Sequence, residues 1–405
     1  MKTIGLLYLN ETNLGDIIIY DTTKYLTVKA CKKNNIDANI VSFDIGLNTP
    51  KSYELTSSEK LVKDRNEKFI KRFKKFQKFS KSLKKTIIRK KWQTTKYYFY
   101  LKSNILPNIK NVDMLIFVGG GIIKYKQQEF LYIIDEITKV ADKNNIPVIF
   151  NSVGIEDYDK NNLKCMLLKK AINRKCVKAI STRDNINLLQ DKYIKNKKIY
   201  TALAADPALY SSECYNIKKK ESKTIGIGLI RTNIFKEYMY DIGEEFILKL
   251  YKDLIDEIIK RGYNAKVFIN GTNADYKIQT ALKEYLGNNK KYNSVFMPKP
   301  KNSKELVNII SSFKGTIASR LHASIVSYAL DIPSIGLVWN KKQIMFGKII
   351  NRENNFLTKD NFNYKYILDT LESNFNDKDI INKNYKKTVY NFLNKTIKSI
   401  LKDQK

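Results

Sequence analysis

The chain contains a single histidine, and it lies two residues after an arginine, in Ser319-Arg320-Leu321-His322-Ala323. A guanidinium grips a carboxylate or phosphate through two parallel N–H bonds. Imidazole takes or gives a proton near neutral pH. Residues 315–319 read as a strand and 323–330 as a helix, so Arg320 and His322 fall in the first helical turn. There the orphan backbone N–H groups and the helix dipole already favour an anion. The segment is therefore a candidate anion site with a proton-transfer group beside it. Arg231 closes another aliphatic run, residues 224–230, and offers a second cationic arm. Lys341 and Lys342, after Trp339, are further candidates of the same kind.

Three other loops carry usable side chains. In Asn13-Leu14-Gly15-Asp16, Gly15 permits close backbone approach, while Asn13 and Asp16 can bind hydroxyls or take a proton. Asp16 could equally cap the helix that follows. Gly119, Gly120 and Gly121 follow the apolar run 114–118, and three glycines weaken a regular element. They predict a turn with unusual dihedrals, with or without a ligand against it. Neither GxGxxG nor GxxxxGK[ST] occurs. In Ala204-Ala205-Asp206-Pro207, proline holds Asp206 extended, facing a cleft or closing an Asx-turn.

Short β-branched runs (residues 4–9, 39–43, 114–118, 148–150, 177–181 and 198–201) alternate with amphipathic stretches, the pattern of parallel α/β units. A polar segment, 211–223, interrupts the pattern and reads as a linker. The alternation restarts with strands at 224–230, 265–269, 294–297, 315–319 and 334–338 and helices at 244–260, 276–285, 303–312 and 321–330. The expected fold is α/β, with two Rossmann-like domains facing a cleft. Residues 1–210 form the first domain, 224–375 the second, and 376–405 a terminal helix. Ligands of such sheets sit at the carboxyl ends of the strands, where all four loops fall.

The 405 residues carry 74 Lys and Arg against 40 Asp and Glu, a net +34. Residues 51–112 hold nineteen bases and four acids, so the excess is concentrated in one insert. Between Lys68 and Lys91 twelve of 24 residues are basic and none is acidic. Phe69, Phe73, Phe76, Leu83 and Ile87 share one helical face, and Trp92 and Tyr97 to Tyr100 follow. Two readings stand for this insert: an amphipathic helix on an anionic membrane surface, or a helix packed on the first domain with its lysines solvated. No helix-turn-helix, RRM, KH or zinc module accompanies the charge, so nucleic acid is not the expected partner. Four cysteines without a CxxC pair and one histidine leave no expected metal site. The first apolar run is too short for a signal peptide and none spans a bilayer. A cytoplasmic protein, with the inner membrane face open to the insert, is expected.

These loops, in this order, resemble the polysaccharide pyruvyl transferase family. The matching segments are NLGD at 13–16, VGGG at 118–121, STRD at 181–184, ADP at 205–207, NGTNADY at 270–276 and SRLHA at 319–323, followed by DIPSIGL and Lys341. The resemblance covers most of residues 1–350 apart from the insert. It implies a two-domain, GT-B-like fold. It also implies an enzyme that uses phosphoenolpyruvate, as donor substrate and without a cofactor, to place a pyruvate ketal across two hydroxyls of a sugar. Arg320 and His322 take the positions of the family's donor-binding Arg and His, and Arg231 aligns with a further family arginine; Lys341 joins the donor side. Asn13, Gly15, Asp16, Gly120 and Gly121 fall on the acceptor side, where a glycan or lipid-linked oligosaccharide is implied. His322, with Asp16 or Asp206, would supply acid and base. Residues 151–156, Asn-Ser-Val-Gly-Ile-Glu, replace a more glycine-rich family loop and bear on which sugar is accepted. The alternative is a GT-B glycosyltransferase using a nucleotide sugar. Such enzymes commonly hold the donor ribose with a second-domain carboxylate, and between Leu306 and Asn351 the only acid is Asp331.

Overall fold

The structure, a computed structural model, describes residues 1–9, 13–46, 96–126, 130–238, 241–377 and 380–402. Strands β1 (Lys2–Tyr8), β2 (Ala38–Asp44), β3 (Met114–Ile123), β4 (Val148–Ile155), β5 (Val177–Thr182) and β6 (Tyr200–Leu203) form one sheet in the order β2-β1-β3-β4-β5-β6. A second sheet has the order β11-β10-β9-β7-β8. It is built from β7 (Thr224–Gly228), β8 (Asn264–Phe268), β9 (Gly315–Ala318), β10 (Ser334–Leu337) and β11 (Phe356–Leu357). All pairs in both sheets are parallel.

Parallel strands require crossover connections, which cover both faces with helices. In the first half these are α1 (Leu14–Lys33), α2 (Phe130–Lys143) and α3 (Leu163–Ile172). The second half has α4 (Glu244–Lys260), α5 (Asn273–Leu286), α6 (Ser303–Ser311), α7 (Leu321–Ala329), α8 (Lys341–Ile349) and α9 (Tyr364–Ser373), and α10 (Lys383–Leu401) ends the chain. Alternation along β1 sends Ile4 and Leu6 towards Ile18 and Leu26 of α1, and Leu7 towards Leu115, Phe117 and Phe150. The first of these cores continues without a break into the second half, through Phe268, Leu306, Ala318 and Ala323. Buried apolar surface therefore joins the two sheets. Helix α10 returns to the first half, where Asn34 donates to Asn394 at 2.9 Å and Phe392 stacks on Tyr200.

Several segments differ from their sequence reading. The three glycines do not end β3 but lie inside it, because the strand absorbs them as a bulge. Gly120 pairs with Val153 and Ile123 with Ile155, leaving one extra residue on β3. Strand β4 has its own extra residue between Phe150 and Val153. Gly120 takes φ +96° and Ser152 takes φ +50°, a left-handed conformation that a serine adopts only under constraint. Residues 294–297 make a single bridge, Val267 to Phe296, rather than a strand. Residues 211–223 open with a short helix, Ser211–Tyr215. Helices α8 and α9 and strand β11 went unread. Tyr97, just after the basic run, is buried and donates to the carbonyl of Ile45. The basic run from Lys68 to Lys91 lies outside the described residues. Among those described, no helix is long and apolar enough to cross a membrane.

The Ser152 hydroxyl is buried without a hydrogen-bond partner, on a backbone that favours glycine. Ser152→Gly removes both penalties and is expected to stabilise the protein by about 1 kcal/mol. A higher midpoint in urea denaturation would show it.

Candidate functional site

The two bulges re-aim the carboxyl ends of β3 and β4, directly over the start of α1. Asn13 caps that helix by accepting from the Gly15 N–H at 3.2 Å, and its amide donates to Asp16 at 3.0 Å. The Leu14 N–H bonds outward, to the Asn270 carbonyl of the second half at 3.1 Å. Gly15 rests against the His322 ring: a Cβ there would lie 2.4 Å from Nδ1 and 2.5 Å from Cγ. Only glycine allows this approach, and it brings the first loop and the histidine helix together. Asp16 Oδ1 stands 3.8 Å from where a Cβ on Gly120 would be.

Asp206 joins the same point from β6. Its Oδ1 accepts the Ala208 N–H at 2.9 Å, capping the turn Pro207–Tyr210. Its Oδ2 pairs with the buried Arg183 guanidinium and lies 3.9 Å from His322 Nε2. The Asx-turn and the cleft-facing role thus belong to the same carboxylate. His322 is almost fully buried, and its Nε2 has no hydrogen-bond partner. Burial lowers its pKa below the ordinary imidazole value; Asp206 pulls the other way, and Arg183 adds to the lowering. The ring is therefore held neutral at pH 7. Burial also opposes the charge of Arg183, but Asp206, Asp184 and Asp16 outweigh it. Asp184 is fixed by the Ile155 N–H at 3.2 Å and by Thr182 Oγ1 at 2.7 Å.

The arginines named from sequence each hold a carboxylate already. Arg320, at the N-cap of α7, bonds Asp275 through Nε at 3.0 Å and Nη2 at 2.7 Å. Asp275 is fully buried and also accepts the Arg231 N–H at 3.1 Å. Arg320 is thus anchored in place with Nη1 left over. Arg231 makes two 2.5 Å bonds to Glu237, at a half-exposed position. Lys341 starts α8 on the exposed side, whereas Lys342 reaches across the cleft to Glu156 at 2.6 Å. A Cβ on Gly121 would come within 2.7 Å of the Lys342 ammonium. Arg183, Asp184, Asp206, Leu321, Lys342 and Tyr385 line a pocket of about 20 Å³, room for little more than a water molecule. Only Asp206 and Lys342 of these six were singled out by their loops. Arg183 and Asp184 lay within the STRD segment, and Asp275 within NGTNADY, without an assigned role. Tyr385 had no sequence signal.

Two parallel α/β halves closing on one cleft, with the ligand-facing loops at the strand ends, are the GT-B fold. The UDP-GlcNAc 2-epimerase of Methanocaldococcus jannaschii superposes with TM-score 0.57 at 15% identity, over 98% of this chain and 99% of that one. A putative UDP-N-acetylglucosamine 2-epimerase of Listeria monocytogenes gives TM-score 0.53 at 10% identity, over 100% and 98%. A UDP-forming α,α-trehalose-phosphate synthase of Burkholderia xenovorans gives 0.51 at 9%, over 100% and 99%. At such identities the likeness concerns the fold alone. The sequence itself goes further: the pattern of the polysaccharide pyruvyl transferase family matches residues 13–341. The chain belongs to the polysaccharide pyruvyl transferase family and is a transferase. No curated protein matches it individually.

Two substitutions probe this geometry. Gly15→Ala drives a methyl into the His322 ring and is expected to reduce turnover about 100-fold, the scale of a 1 Å misplacement, with the protein still folded by circular dichroism. Asp206→Ala leaves Arg183 buried without its partner and should destabilise by about 3–5 kcal/mol. Asp16→Ala, at a half-buried position, should change the urea midpoint far less.

Proposed function

We propose that the protein transfers the enolpyruvyl group of phosphoenolpyruvate to two hydroxyls of a sugar, forming a pyruvate ketal and releasing phosphate. The sugar would belong to a cell-surface polysaccharide or its lipid-linked precursor. The observation that carries this reading is the meeting of His322 with Gly15, Asp16, Asp206 and Arg183 across the cleft, in a chain of the pyruvyl transferase family. The donor carries a carboxylate and a phosphate close together. The anchored Arg320, the start of α7 and Arg231 suit these two anions, the last once the donor displaces the exposed Glu237.

In the reaction one sugar hydroxyl adds to C2 of the donor while C3 takes a proton and becomes a methyl group. The second hydroxyl displaces phosphate at C2 and closes the ring. Of the two hydroxyl protons, one balances that gained by C3 and the other leaves with phosphate. The neutral His322 suits the base that deprotonates a hydroxyl, with Asp16 or Asp206 serving the complementary step.

The alternative, a glycosyltransferase using a nucleotide sugar, draws on the fold likeness. Between Leu306 and Asn351 the one acid is Asp331, which takes φ +59° and accepts the Ile380 N–H at 2.8 Å, a structural task. Incubation with phosphoenolpyruvate and candidate glycans should release phosphate together with a ketal methyl signal by NMR. Thermal stabilisation by a UDP- or GDP-sugar and none by phosphoenolpyruvate would reverse the choice.

The histidine sets a pH dependence. Its folded pKa lies below the unfolded value of 6.5, so as pH falls the unfolded chain takes the proton first. Stability linked to His322 is intact above pH 6.5 and declines below it, through the folded value. The acid limb of kcat/KM should likewise lie below pH 6.5. Urea midpoints at pH 7.5 and pH 5.5 should differ less in His322→Gln than in the wild type.

A further inference from the structure

Tyr385 projects from the first turn of α10, where Asn382 Oδ1 accepts its N–H at 3.0 Å. It lies beyond the family match, which ends at residue 341. Its ring nevertheless lines the pocket of Arg183, Asp184, Asp206 and Lys342. The helix is tied to that wall, since Thr388 Oγ1 accepts the Ala205 N–H at 2.8 Å and Lys386 sits 4.7 Å over the Tyr210 ring. Tyr385 is thus held beside the Asp206 loop.

The Tyr385 side chain is half-buried, and its hydroxyl makes no hydrogen bond within the described residues. The opposite wall of the pocket begins with Leu321, the first residue of α7, whose N-terminus has no side-chain cap. Unsatisfied N–H groups at the positive end of a nine-residue helix favour an anion there. The two pocket cations are engaged, Arg183 by Asp206 and Lys342 by Glu156. A neutral donor adds a hydrogen bond to an anion without any ion pair being broken.

We propose that the Tyr385 hydroxyl is a ligand of the bound donor, hydrogen-bonding a phosphoryl or carboxylate oxygen held between α7 and the Arg183–Asp206 pair. The inference rests on the phosphoenolpyruvate reading for the identity of the donor, though not for the anion site itself. Burial and the nearby Asp206 push the phenol's ionisation well above its ordinary value, so the proton stays available for donation across the working pH range.

Calorimetric titration with inorganic phosphate and with phosphoenolpyruvate, on wild type and Tyr385→Phe, tests the assignment. The expected result is about tenfold weaker binding of both anions in the variant, constant from pH 6 to 9, with an unchanged urea midpoint because the hydroxyl has no protein partner. Unchanged affinities for both anions would overturn it, as would a wild type that binds neither. If phosphate binding weakens in the variant while the wild type neither binds nor consumes phosphoenolpyruvate, Tyr385 stands and the pyruvyl transfer reading falls. If the wild type turns over phosphoenolpyruvate and the variant keeps its KM and its phosphate affinity, the reverse holds.

Discussion

The contact between Gly15 and the His322 ring governs the arrangement of this protein. A histidine on the second half can act on a group bound by the first only if the two backbones approach within side-chain distance. The absent Cβ permits that approach. The surroundings then follow from burial. An imidazole taken out of water stays neutral. Its nearest carboxylate, Asp206, must itself be compensated, and the buried Arg183 does so. The apolar core running from β1 into α6 and α7 holds the halves at the spacing this cluster needs.

The carboxylates that occupy the arginines have a consistent logic, graded by burial. Asp275 is fully enclosed and fixes Arg320, so that residue is oriented before any ligand arrives. Glu237 is half-exposed and holds Arg231 by a pair that water already weakens. Arg320 is therefore fixed by its partner, while Arg231 is only loosely held. Lys342, joined to Glu156, forms a third pair, this one across the cleft.

Much of this was legible in the sequence because periodicity and loop position are local properties. The helix at 244–260 was read to the residue, since its apolar stripe is regular and two glutamates mark its first turn. Arg320 and His322 could be singled out because a strand-to-helix turn in a parallel sheet lies at the carboxyl ends of the strands. The glycine run was misread because a bulge depends on what the neighbouring strand does. Gly120 and Ser152 bend together, and neither predicts the other along the chain. Residues 294–297 have strand-like composition but reach the sheet at one bridge only, as pairing is decided by register. Arg183 lay in plain view within STRD, yet nothing local distinguishes an arginine destined for a buried pair from one on the surface.

The least legible part is the contribution of α10. Its lysine-rich sequence reads as a solvated terminal helix, and most of its lysines are indeed exposed. The information that makes Tyr385 part of the cleft lies in a bond between residues 183 apart, from the Ala205 N–H to Thr388. By crossing back, this helix places a side chain of the last segment against loops of the first domain and seals the pocket on the side the two sheets leave open. The same crossing couples the ends of the chain mechanically. The start of α10 is tied to the second half as well, where the Asn382 N–H donates to the Tyr328 hydroxyl at 2.6 Å and the Ile380 N–H to Asp331 at 2.8 Å, so Tyr385 is held from both sides of the cleft.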